Sequence, residues 1–330
     1  MKAILNQLFD HQKLTRDQAK DVLINMSKGD YNPSQIAAFI SVYLMRTVSV
    51  EELDGFREAL LELCIPVDLE GVESIDVCGT GGDGKNTFNI STATAFVLAG
   101  AGYKVSKHGN YGVSSVCGSS NVLESLGYEF TTDIDQLKRQ LDKTNICFFH
   151  APLFHPALAS VGPIRRDLRV KTFFNLLGPL VNPCQPTHQL VGVFSLKILK
   201  LYQYLLQKST KQYTVVHAID GYDEVSLTGD TKLIQNGAEK LVEPGYFVSS
   251  QLSQESIFGG DDIESAAKIF VNVLMGNGTQ AQNAVVKANA GLAIQTFKPE
   301  QAIETCIAEA EEALLAGKGI KTLEQLIKMN

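Results

Sequence analysis

The sequence contains no C-x-x-C pair: its six cysteines, Cys64, Cys78, Cys117, Cys147, Cys184 and Cys306, are scattered over 330 residues. That spacing excludes a zinc ribbon or a disulfide framework and predicts buried, reduced thiols in a cytoplasmic protein. No run of about 18 apolar residues occurs, so neither a membrane span nor a membrane partner is expected. The opening stretch, MKAILNQLFDHQKLT, is polar and lacks the apolar segment of a signal peptide. No lipidation motif is visible. Basic charge is also scarce: 29 Lys and Arg against 36 Asp and Glu give a net charge of −7 and a pI near 5.4. A general nucleic-acid binder is more often basic, so no nucleic-acid partner is expected. A local basic pocket inside an acidic envelope stays compatible with that balance. Internal repeats and low-complexity segments are absent. What is there is ordinary for a folded soluble chain, with 45% hydrophobic and 20% charged residues. The length suits one large domain, or a large domain with a small helical one.

Residues 1 to about 70 read as helices. Thr15 followed by Gln18 is a capping-box pattern, Asn32-Pro33-Ser34 is a stop-and-start signal, and Ser49 with Glu52 opens a further helix. Ile36, Ala37, Phe39, Ile40, Tyr43 and Leu44 recur at helical spacing. Their apolar faces must pack on the rest of the chain, on a second subunit, or on both. From about residue 73 short β-branched runs alternate with helical stretches. Strands are expected at 75–78, 104–107, 145–150, 189–194 and 214–219, and helices at 92–100, 121–126, 196–207, 262–275 and 280–294. This alternation predicts an α/β layer with a mainly parallel sheet.

The strongest local signal is Gly79-Thr80-Gly81-Gly82-Asp83-Gly84 after the first expected strand. Glycines permit positive φ and close approach of a ligand to the backbone. Successive N–H groups leading into a helix N-terminus, here opened by Asn89-Ile90-Ser91-Thr92, form an anion site. Gly79, Gly81 and Gly84 also fit G-x-G-x-x-G, the dinucleotide fingerprint. That reading needs an acid about 20 residues on, to hold a ribose hydroxyl. No Asp or Glu occurs between Asp83 and Glu124, whereas Lys85, Lys104, Lys107 and His108 do. An anionic ligand suits that stretch better, and the lysine spacing does not fit a P-loop. A second loop, Lys107-His108-Gly109-Asn110 with Ser114, Ser115, Gly118 and Ser119, follows the next strand. Strand ends of an open α/β sheet are where ligands usually bind.

These motifs, together with NLLGPLVNP at 175–183, LTRDQA and NPSQIAAF near the N-terminus, HPAL…VGPIRRDL at 155–168 and Asp220-Gly221-Tyr222-Asp223-Glu224, resemble anthranilate phosphoribosyltransferases over roughly residues 12–325. The resemblance implies a small all-helical domain plus a larger α/β domain with a mainly parallel sheet. The helical domain would span 1–70, joined by part of 165–185, and the α/β domain 71–330. It implies transfer of the phosphoribosyl group of phosphoribosyl pyrophosphate to the amine of anthranilate, in tryptophan synthesis, with Mg²⁺ as cofactor and a homodimer formed through the helical domain. Ribose-phosphate and pyrophosphate contacts would come from Gly79, Gly82, Asp83, Thr87, Asn89, Thr92, Lys107 and Ser119, with Gly109, Ser114 and Ser115 in the same loops. Ser91, Asp223 and Glu224 would hold the metal. Asn110 and Arg165 would contact anthranilate, with His108, His155 and Pro179 lining its channel. The segment at 175–179 would form a hinge between the domains. One departure stands out: the family usually has Arg after KHGN, and this chain has Tyr111. Cys117 stands where serine is common.

The residue types suit that chemistry. Displacing pyrophosphate from an anomeric carbon builds negative charge on the leaving group, so the protein must hold the reactants and neutralise that charge. Mg²⁺ takes one or two carboxylates plus waters and phosphate oxygens, which Asp223 and Glu224 can supply if a turn presents both. Arginine can fork onto a carboxylate, and anthranilate has one; Arg165 as a surface residue or an Asp partner is the competing reading. The aromatic amine is largely unprotonated, so no general base is demanded. His108 can serve as proton acceptor or as a structural histidine. Two alternatives remain. A pyrimidine nucleoside phosphorylase of the same fold normally has Ser where this chain has Gly109 and needs no carboxylate pair. A nucleic-acid-binding paralogue would show a basic face and a degraded acidic pair.

Overall fold

The structure is a computed structural model that describes residues 1–112, 115–248 and 251–330. In chain order the principal elements are α1 (Lys2–Phe9), α2 (Arg16–Ser27), α3 (Pro33–Met45), α4 (Val50–Leu63), β1 (Ile75–Gly79), α5 (Ile90–Gly100), β2 (Val105–Gly109), α6 (Ser119–Ser125), α7 (Ile134–Thr144), β3 (Ile146–His150), α8 (Ala151–Phe154) and α9 (Gly162–Leu168). The second half adds β4 (His188–Gly192), α10 (Leu196–Leu206), β5 (Gln212–Ala218), β6 (Thr231–Gln235), β7 (Ala238–Val242), α11 (Ile263–Leu274), α12 (Gln280–Phe297), α13 (Ile303–Leu315) and α14 (Lys318–Ile327). The chain divides into two compact units, one made of Met1–Val67 with Ala151–Gln185, the other of Asp68–His150 with Pro186–Asn330.

In the helical unit, α2, α3 and α4 each begin at a complete capping box, on Thr15, Asn32 and Ser49. Each box satisfies N–H groups that a helix start leaves without partners. The return segment is held by aromatic packing. Phe173 stacks on Phe56 with ring centroids 4.6 Å apart and meets Tyr43 at 4.9 Å. Such pairs add about 0.5–1.5 kcal/mol each beyond their buried area. Beneath them lies Glu52, fully buried on α4. Its carboxylate accepts from the N–H groups of Leu14 and Ser49, from Tyr43 Oη at 3.2 Å, and from both terminal nitrogens of Arg46. Burial alone would raise the Glu52 pKa, but Arg46 and the two N–H donors outweigh it and hold the carboxyl below its ordinary value.

The α/β unit carries a seven-stranded sheet in the order β3-β2-β1-β4-β5-β6-β7. The pairings among β1 to β5 are parallel and the last two are antiparallel, so the sheet is mainly parallel. Helix α5 is buried on nearly every residue from Ile90 to Ala99, and α12 is buried from Ala284 through Thr296 with Lys287 as a partial exception. A helix apolar on all sides belongs inside a core rather than at its surface. The chain builds outward from β1 through β2 to β3, then returns to start β4 on the other side of β1. The order therefore reverses between β1 and β4, the position where open α/β sheets form a crevice at the carboxyl ends of their strands.

The Glu52 cluster gives a first prediction. Arg46→Ala leaves a buried carboxylate without its cation and should cost about 3–5 kcal/mol, read as a lower urea midpoint. The folded state holds Glu52 below its unfolded pKa, so its contribution is full at neutral pH and is lost as the pH falls through the folded value. Urea midpoints measured against pH should therefore fall less steeply on the acid side in Glu52→Gln than in the parent. Parallel acid limbs would contradict this account.

Candidate functional site

The glycine-rich segment forms the connection from β1 to α5. Gly79 is the last residue of β1, and Gly81, Gly82 and Gly84 all have positive φ, at 63°, 78° and 74°. That run of left-handed residues turns the loop tightly and is accessible to glycine at no steric cost. Asp83 Oδ1 accepts from the Lys85 N–H at 3.0 Å. Thr87 forms an isolated antiparallel bridge with Phe258. Asn89 caps α5 by position, and its Nδ2 donates to the Cys117 carbonyl at 2.9 Å. Ser91 and Thr92 occupy the first turn of α5, Thr92 buried.

The second loop leaves β2. Lys107 is 1% exposed, and its Nζ donates to the Val77 carbonyl of β1. His108 is buried and its main-chain N–H donates to Asp76 Oδ1 at 3.2 Å. Gly109 ends the strand, and the Asn110 carbonyl accepts from Ser119 Oγ and the Ser120 N–H, both at 3.2 Å. Ser115 Oγ reaches the Cys117 carbonyl at 3.4 Å. Ser114 lies outside the described residues. Tyr111 is engaged on its own side of the loop: its Oη donates to Glu124 Oε1 at 2.8 Å, and its ring meets that of His150 edge-on at 4.8 Å.

Asp223 and Glu224 follow β5 through a turn in which Gly221 has φ of 103°. Both carboxylates reach the first loop region. Asp223 Oδ2 accepts from the Gly81 N–H at 2.7 Å, and Glu224 Oε1 from the Ser91 N–H at 3.3 Å. Burial, and then the charge of Asp83, raises Asp223 to about 7. Glu224 is pushed well above its ordinary value by burial and by Asp223, with Lys107 opposing. Glu224 Oε2 is buried with no hydrogen-bond partner. A buried Asp223 and a half-buried Glu224 raised this way, the latter with an unused oxygen, are the donor set a hard divalent cation favours. Among the described residues no three His, Cys, Asp or Glu side chains cluster as a protein-only metal cage.

The remaining sequence candidates belong to the helical unit. Arg165 lies on α9, with Nη2 3.5 Å from Asn175 Oδ1 and its guanidinium 5.2 Å from the Phe174 ring centre; burial lowers its pKa. His155 is buried before a 3₁₀ turn, and Pro179 is buried within another. The α/β unit thus gathers Gly79, Gly82, Asp83, Asn89, Ser91, Lys107, Asp223 and Glu224, while Arg165, His155 and Pro179 belong to the helical unit.

Sequence reasoning missed Gly192. It ends β4 and pairs in register with Gly79 at the end of β1. A methyl group at Gly79 would overlap Asp223 Oδ2, and one at Gly192 would overlap the Asp223 carbonyl oxygen. The two glycines form the slot in which Asp223 sits. A glycine inside a strand pattern, as in Gln189-Leu190-Val191-Gly192, is a known sign of close backbone approach and was the available signal. Lys85, read from the sequence only as one of the cations of that stretch, has its Nζ 4.5 Å from the Tyr222 ring centre, tying the first loop to the acidic turn.

The slot makes an ordered prediction. Gly79→Ala meets a side chain that can shift and should cost about 1–3 kcal/mol, whereas Gly192→Ala meets main chain and should cost more. Calorimetry of both variants tests the order, and a smaller loss at Gly192 would contradict it.

Residues 2–64 match the glycosyl transferase family helical bundle domain, and residues 71–320 match the glycosyl transferase family a/b domain. The chain is 55% identical to the anthranilate phosphoribosyltransferase of Christiangramia forsetii, covering 100% of this chain and 99% of that one. It is also 55% identical to that of Flavobacterium psychrophilum, with both chains fully covered. Among solved structures, anthranilate phosphoribosyltransferase from Thermus thermophilus superposes with a TM-score of 0.91 at 28% identity, covering 98% of each chain. The Saccharomyces cerevisiae enzyme in complex with PRPP and Mg gives 0.90 at 25% identity, covering 98% of this chain and 96% of that one.

Proposed function

Because the chain belongs to the anthranilate phosphoribosyltransferase family, we propose that the crevice between β1 and β4 is where its phosphoribosyl pyrophosphate and metal are held. The enzyme transfers the phosphoribosyl group of phosphoribosyl pyrophosphate to the amine of anthranilate and releases pyrophosphate, a step of tryptophan biosynthesis. The observation that carries the siting is the carboxylate pair Asp223 and Glu224, seated against the glycine-rich loop and the start of α5 at the place where the strand order reverses.

Apart from the Thr80, Gly81 and Ser91 N–H groups, which donate to Gly192, Asp223 and Glu224, the loop 79–84 and the first turn of α5 turn the positive ends of main-chain dipoles toward an anion. Gly79, Gly82, Asp83, Thr87, Asn89 and Thr92 supply contacts to ribose phosphate and pyrophosphate, joined by Lys107, Gly109, Ser114, Ser115 and Ser119 from the second loop. Asp223, Glu224 and the Ser91 hydroxyl hold Mg²⁺, which, when bound, offsets the charge that builds on departing pyrophosphate. In the helical unit Arg165 is assigned to the anthranilate carboxylate, with His155 and Pro179 beside the acceptor, and in the α/β unit Asn110 and His108 are assigned to the same ligand. In the reaction the amine nitrogen bonds to C1 as the C1–oxygen bond breaks. Pyrophosphate leaves with the electron pair, and the nitrogen then sheds a proton. His108 is the candidate to receive it.

Loss of anthranilate fluorescence tests the reading. With phosphoribosyl pyrophosphate and Mg²⁺ the signal should decay, EDTA should abolish the decay, and Arg165→Ala should raise the KM for anthranilate about tenfold or more. A folded protein with no decay would overturn the siting and the roles together.

The assembly proposed is a homodimer through the helical unit, acting in the cytoplasm. Phe9, Leu44 and Met45 leave large apolar side chains 58%, 45% and 90% exposed on α1 and α3 of that unit. Covering them favours association. No helix among the described residues is long and apolar enough to cross a membrane. Sedimentation should give twice the 35.9 kDa chain mass, and Met45→Glu should shift the species toward the monomer. A parent chain that sediments as a monomer would overturn the assignment.

A further inference from the structure

The polar side chains inside α12 have to be accounted for, because that helix is buried along most of its length. Thr296 bonds to Thr214 Oγ1 on β5 at 2.8 Å and back to the Leu292 carbonyl, which stitches helix to sheet. Asn289, two turns earlier, does something different. Its Oδ1 accepts from the Val225 N–H at 3.1 Å, and its Nδ2 donates to the Val225 carbonyl at 2.9 Å. The same Nδ2 also reaches the Val285 carbonyl at 2.9 Å within the helix. Asn289 is 4% exposed and Val225 is fully buried. A single carboxamide thus pairs both main-chain groups of one residue, as a neighbouring strand would.

Val225 immediately follows Glu224. The segment from Ile219 to Asp230 belongs to neither helix nor strand, so no ladder of hydrogen bonds fixes its dihedrals. Upstream, Asp223 is confined by Gly79, Gly192 and the Gly81 N–H. Downstream, Ser226 and Thr228 bond to each other and Thr228 to Asp220, while the Leu227 and Thr228 carbonyls accept from the Leu252 N–H and from Gln251 Nε2, so those outside anchors begin only two residues beyond Val225. Adjacent residues on an extended chain point to opposite sides, so bringing two successive carboxylates to one crevice demands a fixed twist between them. The clamp on Val225 holds the main chain at the residue where that twist ends.

We propose that Asn289 is a positioning residue for the magnesium site: it sets the main chain after Glu224 so that the Glu224 and Asp223 carboxylates face the same ion. The inference rests on the reading of those two residues as metal holders. Outer groups that orient ligands commonly change metal affinity by about 10–100-fold when removed. Asn289→Leu keeps the number and branching of the side-chain heavy atoms while withdrawing both hydrogen bonds to Val225, and Asn289→Ser is the smaller change if the bulkier Asn289→Leu does not fold.

The test measures binding without turnover. Phosphoribosyl pyrophosphate is titrated calorimetrically into parent, Asn289→Leu, Asn289→Ser and Thr296→Val proteins at a series of Mg²⁺ concentrations, with no anthranilate present. The Mg²⁺ needed for half-maximal binding should rise about tenfold or more in the Asn289 variants, while Thr296→Val, which removes a buried hydrogen bond from the same helix, should leave it unchanged despite a lower melting temperature. An unchanged Mg²⁺ requirement in a folded Asn289 variant overturns the inference alone. An equal rise in Thr296→Val also overturns it, since the effect would then belong to the helix. A parent protein whose binding ignores Mg²⁺ overturns the metal reading itself.

Discussion

The α/β unit is organised around one constraint: a carboxylate must be lodged between the ends of two neighbouring parallel strands. Asp223 sits where β1 and β4 finish, and its own atoms fill the space that side chains on Gly79 and Gly192 would occupy. Parallel strands in register bring their last residues side by side, so the slot follows from the pairing of those two strands and from glycine at both ends. Their adjacency also marks the reversal of strand order. The crevice that open α/β sheets offer to ligands is therefore occupied here, at its floor, by an acidic turn. Charge in such a place is costly unless something positive shares it. The upward shifts of Asp223 and Glu224 express that cost, which a divalent ion held there would relieve.

Rigid elements surround the turn on several sides. Helix α5 offers the Ser91 N–H to Glu224, α12 grips Val225, and the loop after β1 offers the Gly81 N–H to Asp223. Helix α5 is buried almost throughout and α12 from Ala284 to Thr296 apart from Lys287, which explains why neither shows a single apolar stripe. A site assembled on such elements has little freedom to relax. Lys85, stacked on Tyr222, extends the same logic to the outer edge of the loop.

What could be read from the sequence was whatever is decided locally. The capping boxes at Thr15, Asn32 and Ser49 involve residues three apart, and all three formed. The glycine-rich loop announced itself through residues whose backbone freedom is intrinsic. The expected strands and helices up to α12 fell within a few residues of their observed bounds. The β6–β7 hairpin went unread although Asn236-Gly237, with φ of 47° and 91°, is a strong two-residue turn signal. Helix α7, with its clear apolar stripe, was passed over in the same way. Other features depend on partners far along the chain. Nothing near Phe173 reveals that it stacks on Phe56, and nothing near Gly192 reveals that Asp223 will arrive from 31 positions away. The seating of Asp223 becomes visible only when strand order is known.

Tyr111 shows how a single departure redistributes the electrostatics of such a crevice. An arginine after Lys107-His108-Gly109-Asn110 would bring a permanent cation to the second loop. Here the position is neutral, and the phenol is engaged with Glu124 and the His150 ring instead. Lys107 is buried with its ammonium on the Val77 carbonyl, and Lys85 lies over an aromatic face. The side-chain cations of the α/β unit nearest the two loops are thus already engaged by protein groups. On the proposed siting, Lys107 would have to leave the Val77 carbonyl to meet a pyrophosphate, and a captured metal would carry more of that charge. Main-chain dipoles are fixed by the fold and weaken little on substitution, whereas an ion must be captured by carboxylates held at the right angle. On that argument a chain with Tyr111 depends more heavily on the geometry of Asp223 and Glu224 than one with arginine, and the glycines that seat them are less free to vary than any lysine in the loops.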